Sequence, residues 1–192
     1  MTDSISPTVR RQYILGKQGL WPGRRWIGKE GTAEALRTAE DVQVDPVFIT
    51  AQSHDIVLWG RVCGYQPEYL DSLLYAERRF FDYGNALMIY PIEELPYWRV
   101  MMERRRAGER WSNFSQENAA LLDEVRREIR TRGPLRRRNM DGRSVEHYRS
   151  SKDSGVALYY MWLVGELMIH SRQGKERVYD FQIGRASCRE RV

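Results

Sequence analysis

Apolar residues recur along the chain in two rhythms, one helical and one alternating. TVRRQYILGKQGL, residues 8–20, has apolar positions compatible with a first helix, and Trp21-Pro22-Gly23 ends it. Gly31 and Thr32 open a short helix, AEALRTAE. DVQVD then alternates polar and apolar, the period of a strand. Asp45-Pro46 opens another helix through SHDIVLWGRV, since Asp caps well and Pro suits the first helical position, and Gly64 stops it. QPEYLDSLLYAE reads as helix, and FFDYGNALMIY as two short strands around Gly84-Asn85. Pro91 leads into a long helix, IEELPYWRVMMERRR.

The second half repeats the theme. Ser115 caps QENAALLDEVRREIRTR, where Leu122, Val125 and Ile129 share a face, and Gly133-Pro134 ends that helix. RRRNM is a short helix candidate. KDSGVALYYMWLV places Val156, Tyr159 and Leu163 on one face, and ELMIHSRQGKERVYDF reads as a hairpin turning near Gly174. Helix, short strand, helix, helix, hairpin thus occurs once in 8–90 and again, abbreviated, in 115–181. Helix-helix-hairpin is the winged-helix arrangement. The expected fold class is mainly α with small β-hairpins (α+β), built as tandem winged-helix domains. The first unit with its following helix spans 1–112 and the second spans 113–182.

Composition narrows this only modestly. Hydrophobic residues make up 42% and charged residues 30%, an ordinary globular balance. No stretch approaches the roughly 18–20 apolar residues of a membrane span, and MTDSISPTVRRQY has no basic-then-apolar leader pattern. The two cysteines, Cys63 and Cys188, form no disulfide or zinc framework, and the three histidines are scattered, so no metal set is expected. No phosphate-cradling glycine loop appears. The expected address is a reducing cytoplasm. The net charge of +5 leans towards a polyanionic partner.

The last ten residues, IGRASCRERV, have neither helical nor strand period and follow YDFQ without a linker. They correspond in order to a common sequencing-library adapter translated in one frame. Residues 183–192 are therefore expected to be a non-native tail on an N-terminal fragment. Without Arg185, Arg189, Arg191 and Glu190 the charge falls by +2, to +3, and Cys188 carries no expected role.

Several stretches appear in order: GLW, VQVDPV, SHDIVLWGRV, GYQPEYLDSLL, YPIEELPYWRVMM, GPLRRRNM and GELMIHSRQGKERVYD. Together they resemble the winged-helix DNA glycosylases of bacterial interstrand-crosslink repair, over about residues 8–181. The resemblance implies a C-shaped DNA-binding surface of tandem winged helices in proteins about twice this length. It implies removal of N7-alkylated purines and, in some members, unhooking of N7-linked interstrand crosslinks. It implies no cofactor, damaged double-stranded DNA as partner, a monomer, and a cytoplasmic, nucleoid-associated address. The family's catalytic motif is Gln-apolar-Gln or Gln-apolar-Asp, and Gln43-Val44-Asp45 matches the second form. Two positions depart: Asn85 stands where many members have His, and His54-Asp55 where two histidines are frequent. His54 and Asn85 are thus candidate neighbours of the site.

The chemistry suits those residue types. On an extended strand, side chains at i and i+2 share a face roughly 6.5–7 Å apart, and Pro46 biases Asp45 towards extended backbone. Gln43 and Asp45 can then address one water or one sugar, with Val44 turned into a core. N7-alkylated guanine is cationic and already a good leaving group. The transition state should resemble an oxocarbenium ion, as in glycoside hydrolysis. A carboxylate can stabilise that cation and activate water. With no lysine expected as a Schiff-base nucleophile, the product is an abasic site without strand cleavage. Spacing alone favours Asp45 as a helix cap and Gln43 as an ordinary strand residue; the resemblance is what points to catalysis.

Arg136, Arg137 and Arg138, and Arg172, Lys175 and Arg177 around the second hairpin, are candidate contacts to the DNA backbone. Each cluster also reads as a solvated basic face. The alternative to the glycosylase is a non-catalytic winged-helix DNA-binding protein, such as a transcription regulator.

Overall fold

Strand pairing organises each half of the chain, and it takes the same form twice. A computed structural model describes residues 4–44, 50–84, 86–140, 152–174 and 176–181. The chain divides into two compact units, Met1–Glu93 and Glu94–Val192.

The first unit begins with α1 (Pro7–Lys17). Ser6 caps it by accepting from the Val9 amide at 3.3 Å, and Pro7 occupies its first turn. Then follow β1 (Trp26–Ile27), α2 (Gly28–Ala39), β2 (Val42–Gln43), α3 (Ser53–Trp59), β3 (Val62–Cys63), α4 (Pro67–Asp71), β4 (Phe80–Tyr83) and β5 (Met88–Pro91). Ser72–Ala76 prolongs α4 as a π-helical turn. The hairpin β4–β5 takes β2 on its β5 side, giving the order β2-β5-β4. Val42 lies opposite Ile89 and Gln43 opposite Met88. The core gathers Ala33 and Leu36 from α2, Leu58 from α3, Leu70, Leu73 and Leu74 around α4, and Val42, Val44, Phe80 and Ile89 from the sheet region.

The second unit holds α5 (Leu95–Ala107), α6 (Glu109–Glu117), α7 (Ala119–Arg132), β6 (Leu135–Arg136), a 3-10 turn at Arg137–Met140, α8 (Lys152–Leu163), β7 (Leu167–Gln173) and β8 (Glu176–Phe181). Its sheet runs β6-β8-β7. In both units the strand that follows the first helix of the motif lies against the returning strand of the hairpin. The architecture is thus helices with two small antiparallel sheets of matching strand order, and a parallel β1-β3 pair in the first unit. α7 docks through Leu122, Val125 and Ile129, as its spacing predicts, and ends at Gly133 with φ 78°. Arg126 joins α7 to Glu166 by a two-point bond, Nε–Oε1 2.5 Å and Nη2–Oε2 2.9 Å. That pairing raises the Arg126 pKa.

Several boundaries differ from the sequence reading. α2 starts at Gly28, not at Gly31. Gly31 is instead a packing glycine: a Cβ there would stand 2.9 Å from Trp26 Cβ, so its smallness lets α2 turn back over β1. α3 starts at Ser53 with Gln52 as its cap, so Asp45 does not open it. It stops at Trp59 rather than Gly64, because Val62–Cys63 pairs in parallel with β1. Ser115 is no cap. It lies inside α6, where its hydroxyl donates to the Ser112 carbonyl at 2.8 Å. α6 went unread because its anchors are aromatic: Trp111 and Phe114 pack on Tyr160 with centroids 5.5 and 5.0 Å away. Asn118 takes the cap position of α7. In α8 the expected face is only partly buried, with Val156 40% exposed. Ala157, Leu158, Tyr160, Met161, Trp162 and Leu163 are all buried, so the helix is covered almost all round. The hairpin near Gly174 is present, with a register irregularity between Ile169 and Ser171. The tail expected at 183–192 lies outside the described residues.

Two glycines of the second unit separate backbone strain from overpacking. Gly165 and Gly174 both have positive φ, 75° and 61°. A Cβ on Gly165 would strike the Met102 thioether, whereas one on Gly174 meets open space. Gly174→Ala is expected to cost about 1–2 kcal/mol, the left-handed penalty alone. Gly165→Ala is expected to cost about 1–3 kcal/mol more. Urea unfolding midpoints of the two variants check the difference.

Candidate functional site

Gln43 stands where the two-residue pairing of β2 places it. Val42 and Val44 on either side are buried, 4% and 8% exposed, while Gln43 is exposed. The Val44 amide donates to the Leu87 carbonyl at 2.7 Å, which holds the strand extended past Gln43. The alternation expected of Gln43-Val44 is therefore the one observed, polar outward and apolar inward. Asp45 and Pro46 lie outside the described residues, as do Asn85 and Lys175.

Beside Gln43 opens a concavity of about 540 Å³. Its wall includes Gln18 after α1, Glu40 and Asp41 between α2 and β2, Ser53 and Val57 of α3, Arg61, and Met88 of β5. It is thus built wholly within the first unit, where the start of α3 comes against the end of β2.

His54 follows Ser53 in α3 and is buried at 6% exposure. Next to it, buried Asp55 accepts from the Tyr65 hydroxyl at 2.7 Å. Burial and the neighbouring Asp55 push the Tyr65 pKa up. Trp59 meets the Tyr65 ring edge-on at 6.0 Å. The Asp55–Tyr65 bond ties the first turn of α3 to the approach to α4. Sequence reading missed it, because neither residue belongs to a periodic face and they lie on separate elements.

It missed Arg61 as well. This arginine follows Gly60 at the end of α3 and is 9% exposed. Its Nε donates to the Gln18 carbonyl and its Nη1 to the Val57 carbonyl, both at 2.9 Å. The only sequence signal is an arginine directly after a helix-ending glycine, which is common and unspecific.

The candidate arginines of the second unit converge on its sheet. Arg136 bonds Gln173 through Nη1 and lies 3.9 Å from Glu176; Arg138 Nε lies 3.4 Å from the same Glu176 oxygen. Arg172 faces Arg177 across the hairpin, and Arg177 lies 4.5 Å over the Trp162 ring. Arg137 runs beside Gly155 of α8, where an added Cβ would come within 3.1 Å of its Cδ. Surface ion pairs of this kind hold weakly, about 0–1 kcal/mol, so Glu176 competes poorly with a polyanion. Among the described residues no group of three or more His, Cys, Asp or Glu could hold a metal ion. Nor is any described helix long and apolar enough to cross a membrane.

Residues 36–183 match the family model described as DNA glycosylase AlkZ-like. No solved structure matches the chain.

Burial of Tyr65, with its bond to Asp55, sets a pH dependence. A phenol whose folded pKa is raised contributes stability that is complete below the unfolded value near 10 and is lost as pH rises towards the folded one. Unfolding free energy should therefore decline above about pH 10. Tyr65→Phe should remove that contribution to the decline and, at pH 7, cost about 1–3 kcal/mol by leaving Asp55 without the hydroxyl. Denaturant titrations of both proteins from pH 7 to 11 test this.

Proposed function

The chain belongs to the AlkZ-like DNA glycosylase family, and from that premise we propose that it hydrolyses the N-glycosidic bond of N7-alkylated purines in duplex DNA and leaves an abasic site. The observation that carries this reading is the exposed Gln43, held outward between two buried valines beside the concavity. It belongs to a Gln-apolar-Asp triplet inside the matched residues. Asp45 is assigned the carboxylate role, stabilising positive charge as it develops on the deoxyribose and accepting a proton from the attacking water. Gln43 is assigned the placing of that water through its amide. The leaving base carries its own positive charge and leaves as a neutral purine, so no strong general acid is required. With no lysine nucleophile the enzyme is monofunctional.

The breadth of the concavity favours substrates that stay large. A crosslinked purine remains tied to the opposite strand and cannot turn into a closed socket. An open wall at Gln43 suits such a base, and unhooking of N7-linked crosslinks belongs to this proposal. So does the assignment of both repeats as winged helices, supported by their shared strand order. The arginines on the β6-β8-β7 sheet are assigned to backbone phosphates in a sequence-independent manner. A monomer acting on nucleoid DNA in the bacterial cytoplasm completes the reading.

The rival, a sequence-reading regulator, would use the third helix of a motif in the major groove. In the first unit that helix, α4, exposes Glu68 and Asp71, a poor face for DNA. In the second, α8 is packed almost all round. Both observations favour the glycosylase.

Asp45→Asn should slow release of N7-methylguanine from methylated duplex by about 10²–10⁴-fold, the usual contribution of a positioned general base. Gln43→Ala should also slow release, with circular dichroism confirming that both variants fold. Full-rate release by folded Asp45→Asn would end the catalytic assignment, and selective binding to one DNA sequence without release would favour the regulator.

A further inference from the structure

The chemistry assigned to Gln43 and Asp45 gives no task to the one cation that lines the same concavity among the described residues. Arg61 lines that concavity with Gln43 and is buried to nine-tenths of its surface. A guanidinium has five N–H donors in a planar fork. Two of Arg61's go to the carbonyls of Gln18 and Val57. Gln18 is the C-cap of α1, and Val57 lies in the last turn of α3, where unpaired carbonyls collect partial negative charge. These dipoles orient the fork and offset part of its charge. Among the described residues, no carboxylate comes within 4.0 Å of it, whereas Arg79, Arg126 and Arg136 of the same chain all have one. Burial accordingly lowers the Arg61 pKa.

A cation fixed by two helix ends, largely withdrawn from water and open on one side to a polar concavity is prepared for an oxyanion. The other charged residues of the wall, Glu40 and Asp41, are exposed. Solvent and salt screen them over roughly 8 Å, whereas the nearly buried Arg61 is screened much less. An anion that settles here therefore comes to the α3 side. With the deoxyribose assigned to Gln43, the group covalently attached to that sugar in DNA is a phosphodiester.

We propose that Arg61 is a phosphate-binding residue of this concavity, holding one backbone phosphate beside the damaged nucleotide so that its deoxyribose lies against Gln43. The proposal rests on the glycosylase reading of the same concavity. It assigns Arg61 to substrate placement, and the bond-breaking step stays with Gln43 and Asp45. The planar fork, tied at two corners, makes the contact directional, so position along the strand is selected as well as charge.

The test uses the full chain and a fluorescein-labelled duplex with one tetrahydrofuran abasic analogue, bound by anisotropy across a salt series. Each phosphate contact contributes about 0.9 to the slope of log K against log salt. Arg61→Gln should flatten the slope by about that amount, and Arg61→Lys should restore most of it. A residue that merely clamps α1 to α3 would instead lower Tm in both variants and leave the slope unchanged, which would overturn the proposal. A second arm keeps wild-type protein and neutralises one phosphate at a time as a methylphosphonate. One linkage next to the abasic analogue should reproduce the loss, and no such linkage would also overturn the proposal, even if Arg61→Gln fails to fold. If wild-type protein releases N7-methylguanine but the slope and the methylphosphonate series stay flat, this inference alone falls. If wild-type protein neither binds the duplex nor releases base, the glycosylase reading falls with it.

Discussion

The short pairing of β2 with β5 is the contact on which the first unit depends. Only Val42 and Gln43 take part, yet they bring together chain segments that lie on either side of α3 and α4. Because side chains alternate, a slip of one residue would bury Gln43 and expose both valines. The two buried valines therefore specify which way Gln43 faces. The repeat makes the same use of pairing. Leu135 is buried opposite Tyr179, and Arg136 follows it opposite Val178. One topological position thus carries an amide in the first unit and a guanidinium in the second. The two units thus vary the polar group at a single strand end.

Much of this was legible in the linear pattern. The Leu122-Val125-Ile129 face, the hairpins around Gly84 and Gly174 and the outward Gln43 all follow from local periodicity or turn chemistry. The failures share a physical cause. β1 and β3 are two residues each and pair at long range, so nothing local marks them, and they displaced the expected ends of α2 and α3. α6 is held by Trp111 and Phe114 on an aromatic surface, and its polar stretch around Ser115 looked like a cap. At the site, Gln43 could be read because its motif is contiguous. Arg61 could not, because its meaning comes from two carbonyls on separate helices and from the missing carboxylate among its described neighbours.

Charge is handled in two ways. On the surface, arginines share a glutamate, as Arg136 and Arg138 share Glu176, or lie on rings, as Arg177 does over Trp162. Such arrangements exchange partners at little cost. Half-buried Arg126 differs, since its two-point bond to Glu166 fixes the approach to β7. Arg61 belongs to neither kind: it is held as firmly as a structural arginine, yet by neutral groups.

α1 gives that anchorage a dynamic side. The helix has eleven residues and buries none of them, and helices shorter than about 12–15 residues are marginal when isolated. The carbonyl of its C-cap Gln18, by contrast, is fastened to a nearly buried guanidinium. The two ends therefore belong to different cooperative units. The N-terminal turns can open while the core of α2, α3 and β5 stays closed, whereas the Gln18 end loosens only when α3 does. Amide exchange would grade along this helix from local opening to global unfolding, with Arg61 at the boundary between them.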